Sequence, residues 1–219
     1  MPDLDFTVVG ADVPAYAAAP MLLFRLQLRN RLPGEPIQSV VLRAQIQIEA
    51  TRRRYSPVAQ ARLLEVFGEP ARWGETLRSL LWAHAGTVVP PFSERTEVEL
   101  PVSCTYDFEV VSTKYFAALE GEEGAIPLRF LFSGTVFYEG EDGRLQIAPI
   151  PWSKEATFAL PLQCWRELVA RFYPGSAWIR LQRQVFDRLY AYKMARGLPT
   201  WDETILRLLA AAEREVSQG

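Results

Sequence analysis

The chain of 219 residues has the length of one ordinary domain, or of a medium domain with a small appendage. Apolar residues make up 49% and charged residues 23%, which excludes a mainly disordered, collagen-like or coiled-coil chain. A net charge of −2 provides no basic field for nucleic acid. One histidine and two cysteines leave little material for a metal site or for acid–base catalysis.

The sequence begins with acidic residues where a signal peptide would carry basic ones. The longest apolar stretch near the start, 13–24, contains Pro14 and Pro20 and is too short to span a membrane. We therefore expect a cytoplasmic protein. In that compartment Cys104 and Cys164 would stay reduced, although sequence alone leaves their pairing open.

Strict alternation of apolar and polar residues marks the first predicted strands. It covers 22–28 and 40–48, which flank a proline- and glycine-rich loop at 30–38. Two alternating strands around a short loop are typical of an antiparallel pair. A shorter strand at 5–9 is predicted to precede them.

The alternation then gives way to a short helix. Ser56 is a favourable N-cap, Pro57 suits the first helical position and Gly68 suits the end, which predicts a helix near 57–67. The segment 76–89 is ambiguous, and we interpret it as a strand after a loop.

Alternation returns after residue 97, with an acidic loop and a hairpin turn between the strands. The further predicted strands are 98–110, 126–138, 145–150 and 156–160. The strand 126–138 is apolar on both faces, which is typical of a strand covered from both sides. Seven or eight strands with few helices between them predict an antiparallel sandwich or open barrel.

The last quarter of the chain has helical spacing. One helix follows Pro161, a second is capped by Ser176, and a capping box at Thr200 starts a third. The predicted fold is α+β and mostly β: an antiparallel β-sandwich-like region over 1–160, with a three-helix unit over 161–219 packed on it. Because the apolar stripes of the helices need cover, we expect them to dock on the strand 126–138 as part of one folding unit.

The sequence carries no catalytic signature. His84 is the only histidine, and the sequence has no GxSxG motif whose serine it could activate as a base. No phosphate-binding glycine motif is present either. Two carboxylate pairs, Glu97 with Glu99 and Asp107 with Glu109, lie on the polar face of an alternating strand, where solvation explains them. No catalytic residue, cofactor or metal ligand is therefore predicted, and we expect a protein that is not an enzyme.

Two features are candidates for a partner surface. The cluster Arg52, Arg53 and Arg54 could meet an acidic partner or a phosphate, although a solvated turn is the alternative. Trp201 lies in a capping turn, where its ring could anchor an interface or pack on its own helix pair. Three more arginines lie on polar strand faces that would suit docking: Arg25, Arg29 and Arg43.

Two C-terminal segments, 173–181 (YPGSAWIRL) and 197–202 (GLPTWD), carry a family resemblance. Together with Leu4-Asp5-Phe6 and the strand 39–48, they resemble an uncharacterised family of high-GC, actinobacterial-type bacteria, encoded beside uptake [NiFe]-hydrogenase subunits and maturation factors. The resemblance covers most of the chain and implies context only, because its motifs are not catalytic. It implies an accessory or assembly role near a hydrogenase.

Two functions from different classes follow from these observations. The first is a non-enzymatic binding or assembly protein with a protein partner and no nucleic-acid or membrane-spanning role, which the resemblance links to hydrogenase biogenesis or function. The alternative is an enzyme or small-ligand carrier that uses a pocket between the sheet and the C-terminal helices. A deep cavity with converging polar groups would favour the alternative, and a closed apolar seam would count against it.

Overall fold

The computed structural model describes residues 2–32, 35–107, 110–140 and 142–216. The strands are β1 (Leu4–Asp12), β2 (Met21–Asn30), β3 (Ile37–Ile48), β4 (Leu80–Val89), β5 (Arg95–Ser103), β6 (Ala125–Glu139), β7 (Leu145–Pro149) and β8 (Glu155–Pro161). The α-helices are α1 (Pro57–Arg62), α2 (Leu64–Phe67), α3 (Trp73–Thr76), α4 (Val111–Ala118), α5 (Leu162–Phe172), α6 (Arg183–Ala195) and α7 (Trp201–Val216). The chain forms two compact units that divide after Trp178.

The first unit contains two antiparallel sheets. One sheet has the order β1-β2-β5. In the other, β4, β3 and β6 are neighbours, and β7 and β8 pair with successive parts of the far edge of β6. This arrangement confirms the predicted α+β fold with an antiparallel, sandwich-like sheet region.

Aromatic rings join the inner faces of the two sheets. Phe6 stacks on Phe132 with ring centroids 4.4 Å apart. Phe24 meets Phe130 edge to face at 5.1 Å. These residues occupy the apolar positions of their alternating strands, so the period of two places them in the core.

The predicted pairing of the strands at 22–28 and 40–48 is wrong. β2 and β3 belong to different sheets, and the chain crosses between the sheets after Asn30. The buried Asn30 amide stabilises this corner by donating to the carbonyls of Leu32 and Glu35 at 2.9 and 3.1 Å. Alternation shows which face of a strand is buried, but it does not show whether two apolar faces share a sheet or oppose each other.

The predicted helix near 57–67 is present with a break at Leu63, and Ser56 caps its start by accepting a hydrogen bond from the Ala59 amide at 3.1 Å. The strand predicted over 98–110 is shorter, because β5 ends at Ser103. Phe108 and Glu109, which that prediction included, lie outside the described residues.

Helix α4 follows and was not predicted. Its sequence begins with β-branched residues and has little amphipathic character, so no helical stripe marks it. Tyr115 and Phe116 are buried in the core, and this tertiary packing stabilises a helix that no amphipathic pattern in the sequence marks.

Helix α5 belongs to the first unit. Its Trp165 stacks on Phe116 of α4 at 4.0 Å, and Leu168 is fully buried. The outward-facing Leu131 and Phe137 of β6 are half-buried.

The second unit is a helical hairpin of α6 and α7. Helix α6 begins at Arg183, later than the Ser176 cap predicted, whereas the cap of α7 is confirmed by a hydrogen bond of 3.1 Å from the Glu203 amide to the Thr200 hydroxyl. The docking of this hairpin on β6 stays a prediction.

Candidate functional site

The three consecutive arginines have different environments. Arg53 is only 8% exposed, and its guanidinium donates to the carbonyls of Ala125 and Glu123 at 2.6 and 2.7 Å. Arg52 forms an ion pair with Glu49 at 3.3 Å, and Arg54 is exposed. Arg53 therefore joins its own loop to the start of β6, whereas the side chains of Arg52 and Arg54 are available to a partner.

Trp201 lies at the start of α7 and packs on its own helix pair. Its ring centroid is 5.4 Å from Phe186 and 6.2 Å from Tyr190, both on α6. The Lys193 ammonium lies 5.8 Å from the centre of the same ring, within reach of a cation–π interaction. Trp201 is nevertheless 37% exposed, so part of its ring remains open to solvent.

The hairpin carries many exposed apolar side chains. No residue of α6 is buried, and among the described side chains of α7 only Thr204 is. The large apolar side chains that are at least 36% exposed are Val185, Phe186, Tyr190, Met194, Trp201, Ile205, Leu206, Leu208 and Leu209. We call this set the hairpin surface. Exposed apolar patches of this kind mark interaction surfaces in soluble proteins.

The polar strand faces predicted to suit docking do not form one surface. Arg25 and Arg29 lie on β2, whereas Arg43 lies on β3 of the other sheet. On β2, Arg25 pairs with Asp12 at 3.1 Å, and Gln27 donates to Glu97 at 3.1 Å. Arg25 and Gln27 of β2 are therefore already paired with side chains of the neighbouring strands β1 and β5.

A cavity of about 510 Å³ lies between α4, the loop after it and α5. Its walls are mainly rings and aliphatic side chains: Tyr106, Phe116, Leu119, Trp165, Val169 and Tyr173. Phe116 and Trp165 are stacked at 4.0 Å, and Tyr106 and Tyr173 at 5.2 Å. The sequence predicts a pocket between the sheet and the C-terminal helices. This cavity lies instead between two helices, α4 and α5, and the sequence does not predict α4.

Two charged side chains line this cavity, Glu120 and Arg166. Burial, and then the negative charge of Glu120, raise the pKa of Tyr106. Burial is also the main cause that raises the pKa of Tyr173. Both phenols therefore stay protonated at neutral pH and keep a hydrogen atom to donate.

The two cysteines are free thiols in buried positions. Burial raises the pKa of Cys104 to about 12 and that of Cys164 to about 11. Cys164 donates to the carbonyl of Ala11 at 3.5 Å. Because the thiolate is the reactive form, both side chains act as small apolar groups.

Among the residues that the structure describes, no three His, Cys, Asp or Glu side chains gather as metal ligands. His84 is exposed on the outer face of β4, opposite Gln45 of β3. Glu97 and Glu99 lie opposite Gln27 and Arg25 across the β2–β5 pair, and Glu109 is outside the described residues. No helix within the described ranges is both long enough and apolar enough to cross a membrane.

A family model described as a family of unknown function, DUF6084, matches residues 1–217. The chain belongs to the DUF6084 family. This match confirms that the sequence resembles a family of unknown function. The match extends over nearly the whole chain and includes the hairpin of α6 and α7. No curated protein matches the sequence.

Two solved structures are distantly similar to this DUF6084 protein. A chain described as a late embryogenesis abundant (LEA) protein is 11% identical, with a TM-score of 0.28, over 74% of this chain and 73% of the other. A chain described as ApaA from Bordetella pertussis is 14% identical, with a TM-score of 0.24, over 74% of this chain and 94% of the other. At such TM-scores neither likeness informs the function.

Proposed function

We propose that this DUF6084 protein is a non-enzymatic binding and assembly protein of the cytoplasm, and that the hairpin surface contacts its protein partner. The observation that supports this is the absence of any buried residue in α6, although the helix carries large apolar side chains. Fully burying one exposed side chain of this kind contributes about 1.5–3 kcal/mol, and 36–64% of each is still exposed, so a partner that covers several of them gains roughly half of that amount for each.

The sequence resemblance supplies the class of partner. It implies a subunit or maturation factor of an uptake [NiFe]-hydrogenase in a high-GC, actinobacterial-type host. Three of the four candidate residues have side chains open to such a partner: Arg54, Trp201 and Arg52, whose side chain is 55% exposed beside its ion pair with Glu49. Arg53 does not, because its guanidinium is held by backbone carbonyls.

Affinity purification from the native host, with the hydrogenase expressed, tests this proposal. Leu206 of α7 and Leu145 of β7 are both 64% exposed, so Leu206→Glu and Leu145→Glu add the same charge at matched sites. We expect hydrogenase-related proteins to be recovered with the wild-type chain and with Leu145→Glu, but not with Leu206→Glu. Recovery of none with the wild-type chain would refute the hydrogenase link. Equal recovery with both variants would refute the role of the hairpin.

A second candidate function is that of a small-ligand carrier, which the cavity between α4 and α5 favours. Its volume of about 510 Å³ falls within the range of about 300–1,000 Å³ typical of ligand pockets. Native mass spectrometry of protein purified from its host tests this candidate. A bound organic molecule that is released on unfolding supports a carrier, and an unloaded mass in every preparation counts against one.

A further inference from the structure

We infer that the cavity between α4 and α5 takes a neutral, ring-containing small molecule. The inference deepens the carrier function proposed above and rests on it. Three properties of the site lead to this ligand class: the aromatic walls, the two charges that line the cavity and the polar hydrogen-bonding groups that these charges provide.

The walls favour flat apolar ligands. Phe116, Trp165 and Tyr173 are themselves buried and line the cavity. The two ring pairs are close to parallel, with interplanar angles of 16° for Phe116–Trp165 and 28° for Tyr106–Tyr173. Each stacked pair covers one face of its own rings, so a flat ligand ring would contact the edges and faces that the stacking leaves open towards the cavity.

The lining carries one charge of each sign and no net charge that would attract a ligand ion: Glu120 is negative and Arg166 is positive. Glu120 is exposed, and its carboxylate has no ion-pair partner among the described residues. A ligand anion that paired with Arg166 would also meet the negative charge of Glu120 and would lose water to apolar walls that cannot solvate it. A ligand cation that paired with Glu120 would in turn meet the positive charge of Arg166, whose guanidinium is held by the backbone carbonyl of Glu122.

The polar groups that remain suit an uncharged ligand with one polar atom. The Glu120 carboxylate can accept a hydrogen bond, and the Arg166 guanidinium has N–H groups beyond the one given to Glu122. A hydroxyl, amide or secondary amine on an otherwise apolar ring system can form a hydrogen bond with either group and brings no charge of its own into the apolar part of the cavity.

N-phenyl-1-naphthylamine and its 8-sulfonate derivative form a matched pair of fluorescent probes, because they differ only by the charged group. Titrated into the full chain, the neutral dye should saturate at one molecule per chain. The sulfonate should bind about tenfold more weakly or worse, since its charge must lose water or approach Glu120.

Three phenylalanine variants locate the bound dye. Ala117 of α4 and Ala170 of α5 line the cavity, whereas the exposed Ala61 of α1 lies elsewhere. Ala117→Phe and Ala170→Phe should each lower the affinity for the neutral dye about tenfold or more, because the added ring occupies the cavity, and Ala61→Phe should leave it unchanged. If a cavity variant fails to fold, NMR locates the dye instead: adding the dye to the wild-type chain should change the amide chemical shifts of Val169 and Ala170.

The outcomes separate the ligand class from the carrier function. Sulfonate binding as tight as that of the neutral dye, lost in both cavity variants, would overturn the neutral-ligand inference and leave the carrier function standing. The inference would be overturned if the neutral dye did not bind, or if both cavity variants bound it as well as the wild-type chain does. If native mass spectrometry then also showed only the mass of the unloaded protein, the carrier function would be refuted as well.

Discussion

Replacing Arg53 tests whether this arginine stabilises the fold or serves a partner. Only 8% of its side chain is exposed, and the side chain spans from the loop after β3 to the start of β6. The guanidinium donates to the carbonyls of Glu123 and Ala125 and lies 4.0 Å from the Glu122 carboxylate. Arg53→Ala removes both hydrogen bonds and leaves two carbonyls without this donor.

The magnitude follows from the two charged hydrogen bonds. Each such bond contributes about 1.5–3 kcal/mol, and water entering the vacated space recovers part of this, so we expect a net loss of about 3 kcal/mol. For a chain of this size the melting temperature falls by about 2–4 °C for each kcal/mol. Arg53→Ala should therefore melt about 6–12 °C below the wild-type protein.

Thermal unfolding followed by circular dichroism measures this shift, with Arg54→Ala as the matched control. Arg54 is exposed, and its replacement should change the free energy of unfolding by no more than about 0.5 kcal/mol. If Arg53→Ala melted together with Arg54→Ala and the wild-type protein, the structural role assigned to Arg53 would be wrong.

Three further predictions concern the first unit. Ser56→Ala should lower the free energy of unfolding by about 1 kcal/mol, because the helix after it loses its N-cap, and chemical denaturation measures this loss. Cys104 and Cys164, whose pKa values are raised to about 12 and 11, should not react with a disulfide reagent near pH 8 until denaturant is added; prompt reaction of the native protein would contradict their burial. A fragment of residues 1–160, which lacks the buried residues of α5, should be insoluble or molten. A well-folded 1–160 fragment would show that the core does not need α5.

The strands β2 and β3 could be predicted from the sequence because their apolar and polar residues alternate strictly. In β2, Phe24 and Leu26 are fully buried, as the pattern requires. The arrangement of the strands into two sheets could not be predicted, since β2 and β3 show the same alternation whether they pair or face each other. Whether β2 pairs with β3 depends on the corner at Asn30, where the chain passes from one sheet to the other. The local periodicity of the sequence does not show this corner.

The candidate site was only partly accessible from the sequence. The helix after Pro161, which is α5, is visible from the helical spacing of its apolar residues. The opposite wall was not foreseen, because tertiary packing of Tyr115 and Phe116 stabilises α4, which no amphipathic pattern in the sequence marks. The arginine cluster shows the same limit: Arg53 and Arg54 are adjacent and identical in type, and only the carbonyls near β6 distinguish them.

Photo-cross-linking in the native host tests the proposed function most directly. A benzophenone side chain placed at Leu206, in the hairpin surface, should form an adduct with a hydrogenase subunit or maturation factor. The same side chain at Leu145, a leucine of equal exposure on β7, should not. Adducts from position 145 alone, or none from position 206 while the hydrogenase is being assembled, would contradict the assignment of the hairpin as the partner-binding element.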